Sequence, residues 1–183
     1  MPDLRQAWAF LEQSDRICDE SEIHAAIGSL ARDIEARLKD AYPLVLVVMG
    51  GAVVFAGQLL PRLRFPLDLD YLHATRYGVQ TKGGGLHWRV SPPQEARGRT
   101  VLLLDDILDH GQTLGGIRDQ LIAQGAAQVL SAVLVEKLLP APKPIAADFV
   151  GLRIPDRFVF GFGMDAKGYW RNLPEIRAMR EAA

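Results

Sequence analysis

Three apolar runs with no polar alternation, at 44–49, 101–104 and 129–136, set the tightest limit on what this chain can become. A strand with one face in water alternates apolar and polar residues. A continuous run suits a strand covered on both faces, as in a parallel sheet flanked by helices. The segments between the runs read as helices. Over 21–39, Ile23, Ile27, Leu30, Ile34 and Leu38 recur at helical spacing, and Asp19 followed by Glu22 predicts a capping box with the helix starting near Glu20. A second helix is predicted after Gly51, to about Leu60 before Pro61. A third spans 114–124, stopped by Gly125. The stretch 67–73 alternates and predicts a half-exposed strand. Strands alternating with helices place the chain in the α/β class.

The run at 101–104 leads directly into Asp105 and Asp106, at the carboxyl end of a strand, where ligands of open α/β sheets bind. Asp109, His110, Gly111, Gln112 and Thr113 then form a polar turn before the helix. Unpaired amides and the macrodipole at a helix start favour an anion, a terminal phosphate above all, and His110 and Thr113 add donors. A solvated loop would explain any one of these acids. It is a weaker account of two adjacent acids and a third at the end of a buried strand. Gly50 and Gly51 repeat the strand, glycine turn, helix pattern after the run at 44–49.

The run 101–113 resembles the phosphoribosyl-diphosphate signature of type I phosphoribosyltransferases, in the version of the hypoxanthine-guanine family. The likeness extends from about Ile17 to Ile176. It implies the fold of that family, a parallel-sheet core flanked by helices over 35–140 with a small hood from 1–34 and 141–183, all in one globular unit. The 140–144 stretch, rich in proline, would be the crossing point. Asp105 and Asp106 would bind the ribose 2′- and 3′-hydroxyls, and both would serve Mg²⁺. Asp109 would be the catalytic acid facing the purine N7, and His110 to Thr113 would cradle the 5′-phosphate. The division makes chemical sense: vicinal hydroxyls want paired acceptors, whereas a group trading a proton with a ring nitrogen must be a single acid held apart.

The same resemblance assigns Gly50 and Gly51 to a loop contacting the donor's pyrophosphate, which often carries a cis peptide not preceding proline, here Met49–Gly50. Gly50 replaces the family's loop lysine. Arg76 and Tyr77 stand where the family has a Ser-Tyr pair at the base of a mobile lid, here over 75–87. Lys137, just past the run at 129–136, would bond the purine O6 and so select 6-oxopurines over adenine, whose amino group would meet it donor to donor. In the hood, Val159 would offer backbone groups to the purine, Asp165 would help hold Mg²⁺, Trp170 would stack on the base, and Arg171 would reach the pyrophosphate. Gly161-x-Gly163-x-x-Ala166 matches a dinucleotide fingerprint by letter. Only 17 of the 183 residues follow it, too few for a βαβ unit.

A formal net charge of −1 and a pI near 6.4 argue against a protein that grips nucleic acid through general charge. The single cysteine, Cys18, leaves no internal disulfide and reads as a small buried apolar residue in a reducing compartment. No leader and no apolar stretch approaching the roughly 18 residues of a membrane span is present, so a cytoplasmic protein is expected. The expected activity is condensation of a 6-oxopurine with phosphoribosyl diphosphate, in a homodimer or homotetramer. Its rivals are a xanthine-preferring transferase and a nucleotide-binding RNA regulator of the same fold.

Overall fold

The structure, a computed structural model, describes residues 3–76 and 86–180. In order the elements are α1 (Leu4–Glu12), β1 (Ser14–Cys18), α2 (Glu20–Leu38), β2 (Leu44–Val48), α3 (Ala52–Leu59), β3 (Asp68–Arg76), β4 (Leu86–Val90), β5 (Thr100–Leu108), α4 (Gln112–Ala123), β6 (Gln128–Leu138), β7 (Phe149–Pro155), β8 (Val159–Phe160) and β9 (Ile176–Met179). A six-stranded sheet has the order β4-β3-β2-β5-β6-β7, and β1-β9-β8 form a smaller three-stranded one. Within the large sheet only the β3–β4 pair is antiparallel.

The continuous apolar runs have a direct structural cause. Along β2, Val45 and Val47 face a core with α2 and α3, while Leu44, Leu46 and Val48 face a second core with Leu114, Ile117 and Leu121 of α4. Leu102 and Leu104 of β5 split from Val101 and Leu103 in the same way. Both faces of the strand are covered, so neither set tolerates polar residues. The expected capping box is present: Asp19 accepts from Glu22 N, and the Glu22 side chain accepts from Asp19 N. Cys18 is buried among apolar neighbours, and burial, followed by the charges of Glu22 and Asp19, pushes its thiol up.

One feature differs from expectation: part of the segment assigned to the hood lies on the large sheet, where the apolar stripe of α2 packs over its core and β7 is an edge strand. β3 is half exposed as predicted, with Leu72 and Ala74 buried and Leu69 and Tyr71 pointing outward. No described helix is long and apolar enough to cross a membrane.

Candidate active site

The sheet opens a notch where β2 ends. β2 pairs with β5 only as far as Val47–Leu104, whereas β5 runs on beside β6 to Leu108–Glu136. Asp105 and Asp106 therefore lie within a strand and not beyond its end, because the ladder to β6 continues whatever the side-chain polarity. Facing them is the turn Met49, Gly50, Gly51, whose Met49–Gly50 peptide is cis, as the resemblance implied. α4 begins at Gln112, so Gln112 and Thr113 form its first turn, and Gly111 (φ 77°) swings the chain into it. These groups, with Arg171, surround a cleft of about 460 Å³. His73 and Thr75 of β3 also line it. Their position inside a strand gave no signal in the sequence.

Both acids of the pair are nearly buried. Burial pushes Asp105 well above the usual carboxylate range, and the adjacent Asp106 adds to the rise. Asp106 is also raised by burial, against the opposing pull of its bond with Asp105 and of the Arg171 charge. A raised acid binds its proton more tightly in the folded chain. The stability it contributes is therefore full below the ordinary carboxylate pKa and is lost as pH rises through the folded value. Asp105→Asn removes that buried charge. It is expected to stabilise the unliganded protein near neutral pH by about 1 kcal/mol, or about 2–4 °C in Tm, while weakening donor binding. The gain should vanish on acidification, where Asp105 is itself neutral. Thermal unfolding at neutral and acidic pH reads this, and an equal gain at both would contradict it.

A smaller pocket of about 170 Å³ adjoins the cleft, sharing Asp106, Ile107 and Asp109 and adding Lys137, Phe158, Val159 and Asp165. Lys137 does not stand past the strand; β6 continues to Leu138, with Lys137 paired to Ile154 of β7. Its side chain is only 10% exposed, and Nζ lies 3.1 Å from Asp109 Oδ2 and 3.9 Å from Asp156 Oδ1. The other oxygen of Asp109, Oδ1, is buried and has no hydrogen-bond partner among the described residues. The nearby His110 Nε2, at 3.9 Å, is too distant to bond it.

The hood residues separate. Asp165 accepts from Gly168 N at 2.6 Å and pairs with Arg171 Nη2 at 2.6 Å, while Arg171 Nη1 donates to Gly163 O. Trp170 requires a correction. Its indole N–H donates to Ala7 O at 2.6 Å and its ring meets Trp8 edge-on, so it anchors α1 to the hood and lines neither cavity. Phe158, half exposed and next to Val159, is the aromatic that lines the small pocket. β8 begins at Val159, and Phe158 immediately precedes it. Gly161 and Gly163 sit in an antiparallel loop closed by a Gly161–Met164 bridge and not at a helix start. Among the described residues no three His, Cys, Asp or Glu side chains are grouped as a metal site, and Asp165 is held by Arg171. Arg76 ends β3, and Tyr77 with the rest of the expected lid to Gly85 lies outside the described residues.

The family model described as phosphoribosyl transferase domain matches residues 13–167. A hypoxanthine-guanine phosphoribosyltransferase of Streptococcus pneumoniae is 31% identical over 163 residues, covering 86% of this chain and 91% of its own. One of Bacillus subtilis is 29% identical over 167 residues, covering 91% and 93%. Among solved structures, a hypoxanthine-guanine phosphoribosyltransferase from Bacillus anthracis superposes with a TM-score of 0.81 at 26% identity, covering 90% of this chain and 95% of that one.

Proposed function

The chain belongs to the phosphoribosyl transferase domain family, and on that premise we propose that it condenses hypoxanthine or guanine with phosphoribosyl diphosphate. The products are pyrophosphate and the purine nucleoside 5′-monophosphate, and the role is purine salvage. One observation carries the choice of base: Asp109 and Lys137 stand 3.1 Å apart in a pocket that opens onto the paired acids and the phosphate turn. The Asp109 carboxylate meets the N7 proton, and the buried Lys137 ammonium meets O6.

In this reading the C1′–O bond to pyrophosphate breaks as the C1′–N9 bond forms. The ribose hydroxyls bond Asp105 and Asp106, and the 5′-phosphate sits on the amides that open α4. The purine, bound with its proton on N7, attacks through N9 and gives that proton to the Asp109 carboxylate, Val159 meets the purine edge through its backbone, and Arg171 holds the pyrophosphate with the backbone of Gly50 and Gly51. The donor set suits Mg²⁺, which takes one or two carboxylates and completes its shell with substrate oxygens and water. Asp105 and Asp106 would hold it, with Asp165 nearby, and when bound it neutralises charge on the departing pyrophosphate. The hood in this reading is the β1-β9-β8 sheet with the loop to Arg171. A homodimer or homotetramer is the assembly this reading expects.

Pyrophosphate release measured with Mg²⁺ and each of hypoxanthine, guanine, xanthine, adenine and uracil tests the assignment. Turnover is expected with the first two, and absence of turnover with every base would end the reading. Phe158→Ala should raise the KM for the purine by about tenfold, the scale of one lost base–aromatic stack, without changing donor affinity. Trp170→Ala should act instead through stability. Steady-state kinetics of the two variants separate the aromatics, and a larger purine effect at Trp170 would reverse the correction made above.

A further inference from the structure

We infer that Lys143 is a positioning residue for purine recognition, tying together the ends of β5 and β6 that carry Asp109 and Lys137; the inference rests on the transferase reading. Its side chain is 10% exposed, and its ammonium donates to Lys137 O at 2.6 Å, Leu108 O at 3.2 Å and Glu136 Oε1 at 3.3 Å. Leu108 immediately precedes Asp109, and Lys137 is the cationic partner itself. The β5–β6 pairing stops at Leu108–Glu136, so the ammonium bonds one carbonyl from each strand at the point where the ladder runs out.

Balancing Glu136 is not its whole task, because Arg153 Nε already pairs with that carboxylate at 3.1 Å. The chain around Lys143 is also stiffened. Pro142 and Pro144 flank it, and a residue preceding proline is confined to extended backbone, so the backbone that carries the ammonium has little freedom to lose. A proline-rich crossing thus braces the spacing between the groups that meet N7 and O6. A shift of the β6 end would move Lys137 away from Asp109 while the paired acids and the phosphate turn, carried by β5 and α4, stay where they are.

Calorimetric binding of two ligands to Lys143→Met tests this. Guanosine 5′-monophosphate reaches both halves of the site, and ribose 5-phosphate reaches only the acids and the turn. The expected result is about tenfold weaker binding of the nucleotide with ribose 5-phosphate within about twofold of wild type, and recovery of most of the loss in Lys143→Arg. Equal weakening of both ligands, or no weakening of the nucleotide, overturns the inference. Should the methionine variant not fold, Lys143→Gln carries the same comparison with the same outcomes. Failure of wild-type protein to bind the nucleotide would instead count against the transferase reading, so the two failures are distinguishable.

Discussion

Asp109→Asn is expected to lower turnover by about 10²-fold or more, the range of a lost general acid–base group, with the affinity for phosphoribosyl diphosphate unchanged. The substitution keeps the size of the side chain and one oxygen that can still face Lys137, so the 3.1 Å approach across the pocket need not collapse. What disappears is the ability to take a proton and the charge that offsets the ammonium. In the proposed reading the donor's ribose and phosphate bind at Asp105, Asp106 and the start of α4, which the change does not touch. Single-turnover rates and equilibrium donor binding, measured on the same protein, separate the two quantities. A parallel loss in both would mean that Asp109 shapes the donor site and is not specific to the base.

The sequence made much of this site legible because its chemistry is concentrated in one short run. Asp105, Asp106 and Asp109 lie within five positions of one another at a strand's end, and glycine beside helix-start polar residues announces an anion site. The apolar runs were equally clear, since strands covered on both faces admit no alternation. Less visible were features set by neighbours in space. Nothing within 101–104 says that β6 keeps pairing past Asp105, so the strand looked shorter than it is. Trp170 and Phe158 are both aromatics near a loop. Which one meets the pocket depends on α1, whose Ala7 carbonyl captures the indole N–H from 163 residues away. Lys143 lies in the proline-rich crossing with no signal of its own, and only the fold reveals that carbonyls of two strand ends meet its ammonium.

Gly51→Ala should reduce kcat/KM for the donor by about 10²-fold, the scale of a displacement of about 1 Å at a reacting centre. The reason is proximity and not backbone conformation. Gly51 has φ −67° and ψ −44°, which alanine adopts freely, but a methyl group there would land on the carboxylate of Asp106. Either the carboxylate turns away from the ribose or the turn backs off from the pyrophosphate, and both separate groups that the donor must bridge. Gly163 closes the opposite side: an added carbon there would strike the Gly51 carbonyl, and its φ of 100° is strained for any other residue. Relief by shifting the turn toward the hood is therefore blocked. Gly57→Ala on α3, where nothing lies within 4 Å of the added carbon, serves as the control and should leave kcat/KM at the wild-type value. Donor kinetics and Tm of both variants decide the matter. Wild-type kcat/KM in a folded Gly51→Ala protein would show that Asp106 and the turn have room the geometry denies them, and that the close approach of turn to acid is not what holds the donor.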